Sequence, residues 1–341
     1  MSVRAAGLRA GWLAGGIAAV VVALVAAVAF GPVSLPPGSV AVELLNLIPG
    51  VRLNSGLNPR EIAIITEIRL PRAVLGLLVG AMLALAGGCY QGVFRNPLAD
   101  PYLLGVAAGA GLGATMAIAF DNRALLAPAA FLGAAGSVIV TYLLGMAGGR
   151  DRSSATLILA GVAVSSFLAA IQTYLLQRNV DTIREVYSWL LGRLATDGWH
   201  EVRLLLPYAV LTAVVVLALR RELDVLSVGD DEAAGLGLHP QRSRLILLAA
   251  ASLGTAAAVA VSGLIGFVGI IIPHVVRLLA GGSYRSILPL SLLFGAAFLT
   301  LCDLAARTLI APGELPIGVV TAFFGAPFFV LVLRTTRQVS L

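Results

Sequence analysis

The residues able to do chemistry in this 341-residue chain occupy few positions. Asp230, Asp231 and Glu232 stand in a row between two long apolar runs. Asp303 and Arg307 lie four apart inside another apolar run, one helical turn, so they can pair. A lone carboxylate in a membrane helix is by default a proton-relay candidate. A bare charge there costs about 2.5–3.5 kcal/mol, and pairing with Arg307 is the simpler account. His200, His239 and His274 fall in three separate segments. A haem or metal ligand at His274, beside Pro273, is weighed against packed or loop histidines, and the spacing favours the latter. Cys89 and Cys302 both sit in apolar segments, which argues against a disulfide framework. All 23 basic residues are arginine. The missing lysine removes Schiff-base chemistry and the GxxxxGK[ST] phosphate loop. The chain therefore offers no catalytic constellation, no metal site and no cofactor site of its own.

These residues must be positioned by membrane helices. Hydrophobic residues make up 59% of the chain, charged residues 12%, and mean hydropathy is +0.97. Soluble domains average about 45–50% apolar and about 25% charged. The fold class is an all-α polytopic membrane protein forming one domain, 1–341. A span needs about 20 apolar residues, and ten candidates qualify: 11–30, 71–93, 102–120, 124–147, 154–176, 201–219, 243–262, 264–281, 286–306 and 316–333. Arg4 and Arg9 precede the first, which could be a signal peptide, but its length favours a retained helix. Ten spans place both termini on one side. With the termini inside, the short inner segments hold more than half of the arginines, as the positive-inside rule requires. The net charge of +6 is then a topology signal and calls for no nucleic-acid partner.

On this topology 220–244 is an inner loop. Gly229 reads as a turn, Asp230, Asp231 and Glu232 as the first turn of a short helix, where the helix dipole favours acids, and Gly235 and Gly237 as its end. A folded element in such a loop suggests a docking partner, against the alternative of an ordinary solvated loop. The outer segment 31–70 reads as short interfacial helices, and 177–203 carries Trp189 and Trp199, aromatic residues of a kind that favours the membrane–water interface. Gly87, Pro97 and Gly105 match Gly263, Pro273 and Gly281 at a constant offset, a weak inverted repeat of the kind common in transporters. Gly109 and Gly113 have GxxxG spacing, suited to close helix packing within one chain.

Four blocks resemble the permease subunit of ATP-binding-cassette importers for iron–siderophore complexes, haem and vitamin B12. They are Arg69–Arg72 running on through Gln91 to Asn96–Gly105; Leu226–Gly237; Gly263–Arg277; and Glu314–Phe329. The resemblance spans 69–329 in family order. It implies a homodimer of ten-helix subunits in a bacterial cytoplasmic membrane, multi-pass with both termini cytoplasmic. Two ATPase subunits, which carry the ATP and magnesium, sit below, and an extracytoplasmic substrate-binding protein docks above. Leu226, Gly229, Asp230, Asp231, Glu232, Gly235 and Gly237 then look like the ATPase-coupling element. Arg69, Arg72 and Arg307 look like docking groups for carboxylates of the binding protein, although arginines at a membrane end also simply snorkel. Asn96 and Leu98, with Ser154 and Ala155, match inner-gate positions; Ala155 departs from the hydroxyl expected in the vitamin B12 permease. The implied cargo is a ferric siderophore, with haem and cobalamin next. The rivals are an ion-gradient-driven secondary transporter, for which Asp303 is the fair candidate site, and a membrane enzyme, which lacks a histidine–carboxylate or cysteine cluster.

Overall fold

The computed structural model describes residues 8–31, 33–147 and 154–337, and not the side chains of 147, 154, 331 or 333–337. Arg4 lies outside the described residues. Apolar runs too long for a soluble core helix become the membrane helices: α1 (Ala10–Ala29), α4 (Leu70–Phe94), α6 (Leu126–Ala147), α7 (Ser154–Arg178), α9 (His200–Ala218), α12 (Pro240–Ser262) and α14 (Tyr284–Thr308). The remaining three candidate spans are the helices α5 (Val106–Ala119), α13 (Val268–Ala280) and α15 (Ile317–Arg337). All ten expected spans are thus helical. The polar and proline-rich stretches between them fold as short helices: α2 (Pro37–Asn46), α3 (Pro59–Ala63), α8 (Ile183–Leu190), α10 (Arg220–Leu226) and α11 (Asp230–Gly235). No strand occurs among the described residues.

Helix α4 is the axis of the bundle. It continues α3 through a π-helical turn at Ile64–Arg69 and packs against α14, α12, α13 and α9. Its small residues allow this. A Cβ on Gly87 would overlap the Gly269 carbonyl of α13. Gly87→Val is expected to abolish the folded yield, since overpacking against rigid backbone costs more than the usual ~1–3 kcal/mol; detergent-solubilised monodisperse protein is the readout. The Gly109/Gly113 face packs on Gly133 and Ala129 of α6, within the chain. Helix α1 is an integral part of the bundle, with Gly16 set against Leu293 of α14.

Helices α5 and α13 have 14 and 13 residues, about 20 Å at 1.5 Å per residue, short of a ~30 Å hydrocarbon core. Irregular backbone supplies the remainder: a 3₁₀ turn at Pro101–Leu104 before α5, and 263–267 before α13. Backbone without helix must be satisfied inside the protein at membrane depth. The Tyr102 hydroxyl donates to the Ile265 carbonyl at 2.9 Å and accepts from the Ile265 amide at 3.2 Å. Gln91 donates to the Gly269 carbonyl at 3.2 Å.

Two expectations are corrected. The matched residues of the weak repeat are not structurally equivalent. Gly87 is mid-helix and Gly263 follows a helix end; Pro97 lies in a turn and Pro273 in a helix; Gly105 begins α5 and Gly281 ends α13. What recurs is the element order, a long buried helix, irregular backbone, then a short helix. Trp189 does not lie open at the surface, as an aromatic anchor in lipid headgroups would. It lies on the buried face of amphipathic α8, packed near Ala256, Val259 and Ala260.

Candidate functional site

At the end of the bundle where α4 stops and α12 and α14 start, helices α10 and α11 form a small platform. Gly229 precedes α11 at φ 143°, a region that favours glycine. The helix ends in a Schellman arrangement: the Leu238 amide donates to the Ala233 carbonyl at 3.0 Å and the Gly237 amide to Ala234 at 2.9 Å, with Gly237 at φ 85°. Gly235 is the last helical residue, faces open space and does not terminate the helix. Gly237→Ala is therefore expected to cost about 1–2 kcal/mol locally, while Gly235→Ala is neutral or stabilising. Hydrogen exchange of the 229–238 segment separates the two.

The platform is fastened to three helices. Asp230 accepts from both terminal nitrogens of Arg244 on α12, at 2.7 and 2.6 Å, and from Arg95 at 3.2 Å. Arg95 itself adopts a left-handed conformation where α4 ends. Asp224 accepts from Ser283 Oγ at 2.8 Å and from the Tyr284 amide at 2.6 Å, so it caps α14. Glu222 accepts from Ser243 of α12. Leu226 and Ala233 are buried beneath. What remains outward is a mixed surface: Asp231 and Glu232 are exposed, and so are Val228 (64%) and Leu236 (71%). Of the three acids, Asp230 is thus an internal anchor.

At the opposite end the three arginines form a buried network. Arg69, 4% exposed, donates to the carbonyls of Val28 at 2.8 Å, Ala29 at 3.0 Å and Val33. Arg307, also 4% exposed, donates to the Ala27 carbonyl and lies 3.4 Å from Asp303. Both satisfy carbonyls at the C-terminus of α1, which lack helical partners. Arg72 grips Asp303 through Nε at 3.1 Å and a terminal nitrogen at 2.8 Å, and Glu314 at 2.9 and 3.0 Å. These bonds hold the Glu314 carboxyl below its ordinary pKa. Burial turns the Arg69 and Arg307 guanidinium groups inward onto backbone carbonyls of α1. Asp303, 2% exposed, is paired with Arg307 as expected, and more closely with Arg72.

The inner-gate residues are brought to one end without forming a cluster. Asn96 caps its own turn, its Oδ1 accepting from the Leu98 amide at 3.0 Å. Asn96 and Ala155 are exposed and Leu98 is half-buried. Ser154 begins α7, and its side chain lies outside the described residues. A cavity of about 50 Å³ between Val93, Phe94 and Leu157 joins the neighbouring parts of α4 and α7. His274 is packed edge-on against Phe328 at 5.7 Å, and among the described residues no cluster of three metal-ligating side chains exists. Cys89 and Cys302 are free and buried.

Sequence reasoning missed Asp224, Arg95, Arg244, Val228, Leu236 and Glu314. Five of the six lie within or beside blocks that it did single out. The charged ones have partners up to 242 residues away, as for Arg72 and Glu314, so spacing alone could not find them.

Comparison with known proteins matches this architecture. The family model described as the FecCD transport family matches residues 19–335. The cobalamin import system permease protein of Halobacterium salinarum is 42% identical over 299 residues, covering 87% of this chain and 80% of that protein. The hemin transport system permease protein of Yersinia pestis is 36% identical, covering 90% and 94%. A solved structure described as an inward-facing conformation of a metal-chelate type ABC transporter superposes with a TM-score of 0.83 at 31% identity, covering 95% of this chain and 98% of that one. A ten-helix bundle with a fastened loop platform, matched over nearly its whole length, makes the conclusion direct: the chain belongs to the FecCD transport family.

Proposed function

We propose that this chain is the permease of an ATP-driven, binding-protein-dependent importer of metal chelates, with a ferric siderophore as first candidate cargo and haem and cobalamin next. The observation that carries the proposal is the α10–α11 platform. It is exposed on one side through Val228, Asp231, Glu232 and Leu236 and locked on the other to α4, α12 and α14. A partner that moves the platform moves those helices with it. ATP and magnesium belong to that partner, a pair of ATPase subunits on the cytoplasmic side, with both termini of this chain on the same side of a bacterial cytoplasmic membrane. Two copies of the chain face one another. Exposed Leu159, Phe167 and Phe323 on α7 and α15 supply apolar surface for the contact. A substrate-binding protein docks at the opposite end, where Arg72 keeps the docking role: its partner Glu314 is 48% exposed and can be displaced by an incoming carboxylate.

Secondary transport would need a free titratable group at depth, and Asp303 is held between two arginines. The deciding experiment is uptake in proteoliposomes of the chain with its ATPase and binding protein. ATP-dependent accumulation of a ferric chelate, haem or cobalamin is the expected result. Uptake driven by an ion gradient with no ATPase present would overturn the reading.

A further inference from the structure

Two cavities meet on one side of the bundle, between α6, α9 and α12. The upper one, of about 410 Å³, includes the charged Arg193, Asp197 and Glu201, with His200, in its wall. The lower one, of about 300 Å³, is apolar and runs between Pro128, Phe131, Leu132, Tyr208 and Ala257. They share Ala127, Leu204, Ala260 and Val261, so they form one continuous cleft. Leu132 and Leu204 in its wall are exposed and apolar, as are Leu206, Val210 and Val214 elsewhere on α9. Such a surface on a spanning helix faces lipid.

The cleft grades from charged to apolar over the first turns of α9, the polarity profile of a phospholipid. The charges narrow the headgroup. Arg123, also in the wall, is engaged by Glu185 at 2.9 Å and by Asp121. Among the described residues, the Arg193 guanidinium has no hydrogen bond or ion pair, which leaves its fork free for a phosphate. The Asp197 and Glu201 carboxylates stand in the same wall. Glu201 spends one oxygen on the Asp197 amide, at 2.9 Å, and keeps the other. One free cation beside two carboxylates suits a zwitterionic head whose ammonium can donate hydrogen bonds. It disfavours an anionic head, which the carboxylates repel, and a quaternary head, which has no N–H to give.

We propose that this cleft is a binding site for one ethanolamine phospholipid, with its phosphate on Arg193, its ammonium on Glu201 and Asp197, and an acyl chain in the slot past Leu204. The test is native mass spectrometry of the purified full chain titrated with dioleoyl phosphatidylethanolamine, phosphatidylcholine or phosphatidylglycerol. The ethanolamine lipid is expected to bind about tenfold more tightly than the other two, roughly one charge-assisted hydrogen bond in free energy. Arg193→Ala should weaken all three lipids. Glu201→Gln, which keeps the hydrogen-bond acceptor for Asp197, should erase the preference for ethanolamine alone. Leu204→Trp fills the slot and should remove the bound lipid. Equal binding of the three lipids by the wild-type chain, or undiminished ethanolamine-lipid binding by both Arg193→Ala and Leu204→Trp, would overturn the proposal. Glu201→Gln changes a half-buried side chain without changing its size, so its result stands even if the tryptophan variant fails to fold.

Discussion

Replacing Asp303 with alanine is expected to destabilise the protein by about 3–5 kcal/mol, because it leaves the buried Arg307 without its acid and takes from Arg72 one of its two. Asp303 is 2% exposed and touches both Arg72 and Arg307. Arg72 can lean on Glu314, its second partner at 2.9 Å, but Arg307 retains only the Ala27 carbonyl. Asp303→Asn keeps the shape and loses the charge, and should fall nearly as far. Asp303→Leu combined with Arg307→Met removes the charge on both sides, and part of the loss should return, since apolar replacement of a whole buried pair is often neutral. Thermal unfolding in detergent, with the folded yield, is the measurement. A Tm for Asp303→Ala equal to that of the wild type would show that the network does not hold the bundle.

The second large effect concerns transmission. Asp230→Ala should leave the ten helices inserted but disconnect α11 from α12 and α4, and Arg244→Leu should disconnect it from α12. Transport should drop by about 5–150-fold, the range of typical coupling free energies, while ATP hydrolysis by the bound partner continues. Exchanging the charges, Asp230→Arg with Arg244→Asp, should restore part of the transport. Leu236→Glu acts differently. It spoils the exposed face rather than the fastening, so the ATPase should fail to co-purify. Normal transport by Asp230→Ala would remove the fastening from the mechanism.

The membrane helices were legible because hydropathy is a local signal. Each of the ten apolar runs became a helix, including the two too short to span alone. The platform was legible because glycines and acids mark a short helix by type: Gly229 and Gly237 adopt the conformations that only glycine takes easily. Gly235 misled for the same reason, since a glycine within a helix looks no different in sequence from one that ends it. The arginines were the harder case. Sequence shows that Arg69 and Arg307 lie near membrane ends. It does not show that the last turn of α1 offers unpaired carbonyls within reach of both. Trp189 shows the same limit: aromatic type suggests an interface, and tertiary packing decides.

The clamp on α1 also has a consequence in time. Arg69 follows the Val28 carbonyl that it caps by 41 residues, and Arg307 follows that of Ala27 by 280. At a synthesis rate of about 5–20 residues per second, the second cap arrives roughly 15–55 seconds after the first helix has left the ribosome. The acid that neutralises Arg72 comes 231 residues after it. During that interval the first helix is held from one side only, and the nascent bundle carries an arginine without its acid. Chains stalled with Arg307 still inside the ribosome are expected to leave α1 open to crosslinking by the insertion machinery, and chains in which Arg307 has emerged to protect it. The last helices to be made thus decide when the first one is finished.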